Sequence, residues 1–190
     1  VDVLHMMVAS FTGKEAHVMM QGIDALKVWT GKTTATVLYD SNDEAFTDER
    51  LFAKVKDQPN VALVAFTTDG DVFSVFYERP VTVQSHHLKD PNLFVASFES
   101  HGRCATPQKF VPRADVRQKA YILFNHNDEN GWFVESGVAN RGGFGLGNQQ
   151  SSTGCVDLSA AFEGMEDNTL TGKGKDENHH CVRLVALQLS

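Results

Sequence analysis

Cysteine is scarce in this chain and poorly placed for pairing: Cys104, Cys155 and Cys181 are odd in number, far apart, and form no Cys-x-x-Cys. That argues against a disulfide framework and against zinc-finger spacing. With no Asn-x-Ser/Thr sequon either, it sets the expectation of a reducing compartment, cytoplasmic or nuclear. No apolar run reaches about 18 residues, and no charged n-region precedes an apolar stretch at the N-terminus, so no membrane insertion is expected. Lys and Arg form no block of five or more, and the formal charge is −7. A surface that tracks nucleic-acid phosphates rests on clustered cations, so that class is disfavoured. Tyr and Trp number 3 and 2 against 13 Phe, which makes the aromatic residues core filler rather than a stacking platform. No repeat of fixed period occurs, which removes solenoids. Strand–helix–strand alternation is also missing, which removes a doubly wound sheet.

What remains is a chain of 190 residues, 42% hydrophobic and 22% charged, long enough to bury one substantial core without a staple. Its clearest local signal is Val61 to Tyr77, VALVAFTTDGDVFSVFY. Two β-branched and aromatic arms meet across Asp69-Gly70, where Gly70 takes positive φ without a Cβ clash. The arms suit a pleated, half-buried surface. Upstream, residues 1–31 open with the apolar VDVLHMMVASF. Val18, Met19, Ile23, Leu26, Val28 and Trp29 then follow at loose helical spacing. This segment reads as short helices docking on the domain, with Gly22 breaking them and Gly31 stopping the second. Thr34–Tyr39 reads as a strand. Thr47 reads as the N-cap of a helix with Asp48 and Glu49 in its first turn and Leu51, Phe52 and Val55 on one face. Leu93–Phe98, a hairpin made of Ala120–Phe124 and Trp132–Glu135, and the terminal Cys181–Leu189 complete the strands. The expected class is α+β: two facing antiparallel sheets with a few short flanking helices, a helical segment at 1–31 and a sandwich domain at 32–190.

The order of these pieces resembles the TLDc domain family over about Leu26 to Ser190. LKVWTG leads into TVLYDSND, similar to the family's entry strand before a helix. ALVAFTTDGDVF resembles its paired strands, LFVASFESHGR the strand that ends in a turn, and AYILFNHNDENGWF the hairpin that follows. GGFGLGNQQSSTGC resembles the glycine-rich segment, and CVRLVALQL the closing strand. The chain is most similar to short, stand-alone forms found in single-celled eukaryotes. It departs from the pattern at Ser74, where the family usually has Gly, in a less glycine-dense loop, and in the absence of a LysM or TBC-like companion. The resemblance implies a pair of facing antiparallel sheets flanked by helices and protection against oxidative stress. It also implies, as in several members, association with the vacuolar proton pump. It brings no nucleophile, metal or cofactor with it.

Read for chemistry, the residues offer little that is specific. His86-His87 with Asp90, and Asp176, Glu177, His179, His180 and Cys181, are metal-type atoms at spacings where strand neighbours point to opposite faces. Asp40, Asn42 and Glu44 start a calcium-loop pattern that fails, with Ala45 in the glycine slot and Leu51 in place of the bidentate Glu. Gly142, Gly143 and Gly145 are followed by Asn148-Gln149 rather than Lys-Ser/Thr, so a tight strand passage is expected instead of a phosphate loop. Ser151 and Ser152 lack a nucleophile elbow. Asp128-Glu129 and Glu166-Asp167 read as solvated charge at loop tips. Cys104 is the candidate redox residue, with His101 and Arg103 as cations that would lower its pKa.

No metal or cofactor is therefore expected. The leading expectation is a non-enzymatic interaction module with a protein partner, touching it through the 100–118, glycine-rich and 164–178 loops. Candidate contact residues are Lys109, Arg113, Arg117, Gly142, Gly143 and Gly145. The alternatives are a DNA-binding stress regulator using the basic cluster of Lys109, Arg113, Arg117 and Lys119, and a redox or small-molecule enzyme using Cys104.

Overall fold

A computed structural model describes residues 11, 13–148, 150, 153–174 and 177–190. The opening apolar segment other than Phe11, together with Ser151, Ser152 and Asp176, lies outside the described residues. The fold is α+β, with two six-stranded antiparallel sheets and, among the described residues, three α-helices and a 3-10 turn at Arg117–Lys119. The first sheet runs, in spatial order, β1 (Ala35–Asp40), β12 (Cys181–Leu189), β2 (Val61–Thr67), β3 (Val72–Tyr77), β5 (Phe94–Glu99) and β6 (Gln108–Phe110). The second runs β11 (Asn178–His179), β10 (Thr153–Val156), β9 (Gly142–Gly147), β8 (Trp132–Val138), β7 (Ala120–Phe124) and β4 (Leu88–Lys89). The helices are α1 (Gly13–Thr30), α2 (Asp48–Val55) and α3 (Leu158–Ala161).

Strand alternation sorts the apolar residues of the first sheet into two cores. Leu63, Ala65, Phe73, Val75, Val95, Leu184 and Ala186 face the second sheet and meet Ala120, Ile122, Phe124, Val134, Phe144 and Leu146. Ala62, Val64, Phe66, Phe76, Ala96, Phe98, Val185 and Leu187 face the other way, against Val18, Met19, Ile23 and Leu26 of α1. Every residue of β2 and β3 is therefore buried. The half-buried surface expected for the 61–77 hairpin is corrected here. Its unbroken apolar run is the mark of a strand pair covered on both faces. Ser74 sits in the α1-covered row, between Val64 and Ala96 of the neighbouring strands, with its hydroxyl lacking a hydrogen-bond partner.

The N-terminal segment differs from expectation in one respect. Gly13–Thr30 is a single helix that runs through Gly22, and Gly31 ends it at φ +70°. Gly22 does not break the helix because its role is steric. A Cβ there would lie 2.4 Å from the Phe98 ring, so glycine lets the helix settle on the sheet. Four apolar side chains ride down with it, each contributing roughly 1.5–3 kcal/mol on burial.

The cap on α2 is as expected: Thr47 is extended and its hydroxyl accepts the Arg50 N–H at 3.3 Å. Leu51 and Val55 are buried, and Phe52 meets the Phe124 ring at 5.9 Å. The failed calcium loop also resolves: Asp40 is buried in a bidentate ion pair with Arg183, whose guanidinium lies 3.7 Å from the centre of the Phe11 ring.

Gly22→Ala separates the two readings of the N-terminal helix. At an ordinary helical position this change stabilises by about 0.5–1 kcal/mol. Against the buried Phe98 ring it is expected to destabilise by about 1–3 kcal/mol, measured by urea unfolding.

Candidate functional site

The turn between β2 and β3 works as a clasp. The Thr67 hydroxyl accepts the Asp71 N–H at 3.1 Å, the Gly70 N–H reaches the Thr67 carbonyl at 3.0 Å, and Gly70 has φ +86°. This geometry turns the buried Asp71 carboxylate toward the 100–104 loop. There it sits 2.9 Å from His101 Nδ1 and accepts from Arg103 Nη2 at 2.5 Å. Arg103 also donates to the carbonyls of Thr169 and Leu170, and Lys173 pairs with Asp69 at 3.0 Å. The hairpin tip thus ties down two of the three segments expected to be contact loops.

The clasp changes the setting of Cys104. Its thiol is half-buried, 3.4 Å from the Ser100 hydroxyl, which also accepts the Cys104 N–H at 3.2 Å. His101 and Arg103, adjacent in sequence, are held on Asp71 instead. Cys155 and Cys181 are fully buried, and burial pushes both thiols up to about 12.

The other metal-type residues are dispersed. His86 and His87 are exposed, with the His87 ring 4.6 Å from that of Tyr121. Asp90 is fully buried and accepts backbone N–H groups from Glu78, Arg79 and Asn92. Among the described residues, Asp48, Glu49 and His126 bring ligand-type atoms within 4.8 Å of one another. Asp48 there already accepts the Asn127 N–H at 2.8 Å, joining α2 to the β7–β8 turn. Sequence reasoning missed this grouping because its members lie almost eighty residues apart.

The basic cluster divides. Arg113 donates to the Ser159 carbonyl at 3.2 Å, and Lys119 is exposed. Lys109 and Arg117 line one 170 Å³ cavity.

Gly142, Gly143 and Gly145 come together in a 320 Å³ cavity on the outer face of the second sheet, away from the other candidates Cys104, Lys109, Arg113 and Arg117. The glycine-rich segment is a strand rather than a loop. It pairs with β8 on one side and β10 on the other, and so is a tight passage as expected. A Cβ on Gly143 would stand 2.3 Å from the Ser136 carbonyl, and one on Gly145 would stand 2.7 Å from the Trp132 ring. The floor of the groove is therefore bare backbone, with the indole of Trp132 laid over Gly145. Tyr121, Glu135 and Arg141 stand around it. Burial and the nearby Glu135 raise the Tyr121 phenol, keeping it a protonated hydrogen-bond donor. Trp132 and Tyr121 were not singled out from sequence. Tyr121 alternates with inward Ile122, which was the available signal; Trp132 shares the parity of inward Val134, and the register shift between them turns it outward, which the sequence did not signal.

No known family's profile matches the chain, and no curated protein is a significant match. No helix among the described residues is long and apolar enough to cross a membrane.

His179, 5.9 Å from the Phe73 ring behind the clasp, gives a pH prediction. Burial, with Lys173 and His180 adding to it, pushes its pKa down to about 4 from an ordinary 6.5. The unfolded chain then binds the extra proton first as pH falls. Stability is full above pH 6.5 and falls by about 3 kcal/mol as pH drops to 4. Unfolding free energies across this range should show that loss in the wild type and lack it in His179→Leu. Parallel curves would contradict the assignment.

Proposed function

We propose that this chain is a non-enzymatic interaction module of the TLDc-like kind, acting in the oxidative-stress response by binding a protein partner. Subunits of the vacuolar proton pump are the first partner to test. The reading rests on the resemblance in strand order, and the α+β two-sheet fold agrees with it. The observation that supports a binding role is the contrast between the two outer sheet faces. α1 closes the face of the first sheet. The second sheet keeps a glycine-floored groove with an aromatic wall, Glu135 and Arg141. Paired strands present these groups, and an interface of this kind takes an aromatic or apolar anchor ringed by polar contacts. The side chains with catalytic potential around the hairpin tip are occupied in holding loops together.

Purified wild-type protein, used as bait beside Trp132→Ala and Arg141→Glu, tests the reading. The wild type is expected to retain a protein partner that both variants lose, by roughly tenfold or more for a central aromatic anchor. Equal capture by all three would place the interface elsewhere, and recovery without proton-pump subunits would remove that partner.

A further inference from the structure

A second site lies on the other side of the molecule, beside the C-terminal end of α1. Lys109, on β6, holds its ammonium 4.3 Å from the centre of the Phe94 ring. With Asn92 it lines two adjoining cavities. One, of 170 Å³, is shared with Arg117. The other, of 300 Å³, is lined by Trp29, Lys32 and Phe94, with Glu78 on its wall bonded to the Asn92 amide.

Lys109 and Arg117 differ from the ion-paired cations of the domain. Arg50, Lys54, Arg103, Lys173 and Arg183 each hold a carboxylate within ion-pair distance. Among the described residues, no carboxylate lines the cavity that Lys109 and Arg117 share, in a chain that carries 24 acidic residues against 17 basic ones. Lys109 is half-buried, and both desolvation and the charge of Arg117 work against its proton. A half-buried ammonium facing a second positive charge costs free energy unless an anion joins them. A phosphate group suits this pair: the ammonium is a compact point charge, and the guanidinium offers a planar fork of donors.

The geometry points to a binding site for a phosphate monoester that carries a ring, of the nucleoside monophosphate class. Its phosphate sits between Lys109 and Arg117, and its ring lies in the larger cavity beside the Trp29 indole. Lys32 also lines that cavity, and the Phe94 ring holds the Lys109 ammonium beside it. This site is independent of the groove on the second sheet.

Calorimetric titration with a nucleoside 5′-monophosphate, the matching unphosphorylated nucleoside and inorganic phosphate tests the proposal. The monophosphate is expected to bind saturably, inorganic phosphate more weakly, and the nucleoside not at all. Lys109→Met, which keeps the apolar stem, and Arg117→Gln should each weaken binding roughly tenfold or more, the worth of one charge-assisted hydrogen bond. Lys119→Ala should leave it unchanged. In a Trp132→Phe background, the remaining Trp29 fluorescence should respond to the monophosphate and not to inorganic phosphate. Each variant's thermal unfolding, measured alongside, shows that it is folded, and the exposed Arg117 carries the test should Lys109→Met fail to fold. No saturable binding, or binding unaltered by both variants, would overturn the site. Equal affinity for monophosphate and inorganic phosphate with silent Trp29 fluorescence would overturn the ring-bearing ligand.

Discussion

The burial of the first sheet on both faces is the constraint on which the rest of the structure depends. β2 and β3 carry apolar side chains at nearly every position, so neither face can meet water without cost. One face takes the second sheet and the other takes α1. The C-terminal strand β12 then inserts between β1 and β2, pairing Ala35 with Leu189 and Val61 with Gln188. Strands from both ends of the domain thus complete the sheet they cover. The buried Asp40–Arg183 pair sits on this seam, across β1 and β12. Removing one partner of such a pair costs far more than the pair itself contributes, so it fixes register more than it adds stability.

The two sheets consequently have different roles. The first is closed, and its exposed features are confined to its edges and turns, including the Asp71 clasp and the Lys109–Arg117 cavity. The second has a covered inner face and an outer face stripped to backbone at Gly143 and Gly145. Glycine there permits β8 and β9 to run very close, and it also leaves room above them. A substitution that filled the groove would therefore first disturb the sheet. The Trp132 indole depends on the same missing side chain, since it rests where a Cβ of Gly145 would be.

Local signals in the sequence were faithful. The 61–77 hairpin, the Thr47 cap, the Ala120–Phe124 strand and the Cys181–Leu189 strand follow from apolar pattern, turn residues and capping chemistry, all within a few residues of one another. β4, β6 and β11 were not legible, because two or three residues carry no periodicity. β9 was legible only as a tight passage, since glycine has no side chain to alternate. Gly22 looked like a helix break because its reason, the Phe98 ring, is seventy-six residues away. The Asp71 clasp and the Lys109 cavity escaped for the same cause. His101 and Arg103 stand beside Cys104 in the chain, but they turn to the Asp71 carboxylate about thirty residues earlier.

The first sheet, closed on both faces, is the stable frame, and the second sheet's outer strands are the accessible surface. Native-state amide hydrogen exchange tests this strand by strand. Amides of β2, β3 and β12 are expected to exchange only through global unfolding, at the free energy measured by denaturant. Those of β9, β10 and β11 should exchange through smaller local openings. Protection in β2 and β3 equal to or below that in β9 and β10 would contradict this division of roles.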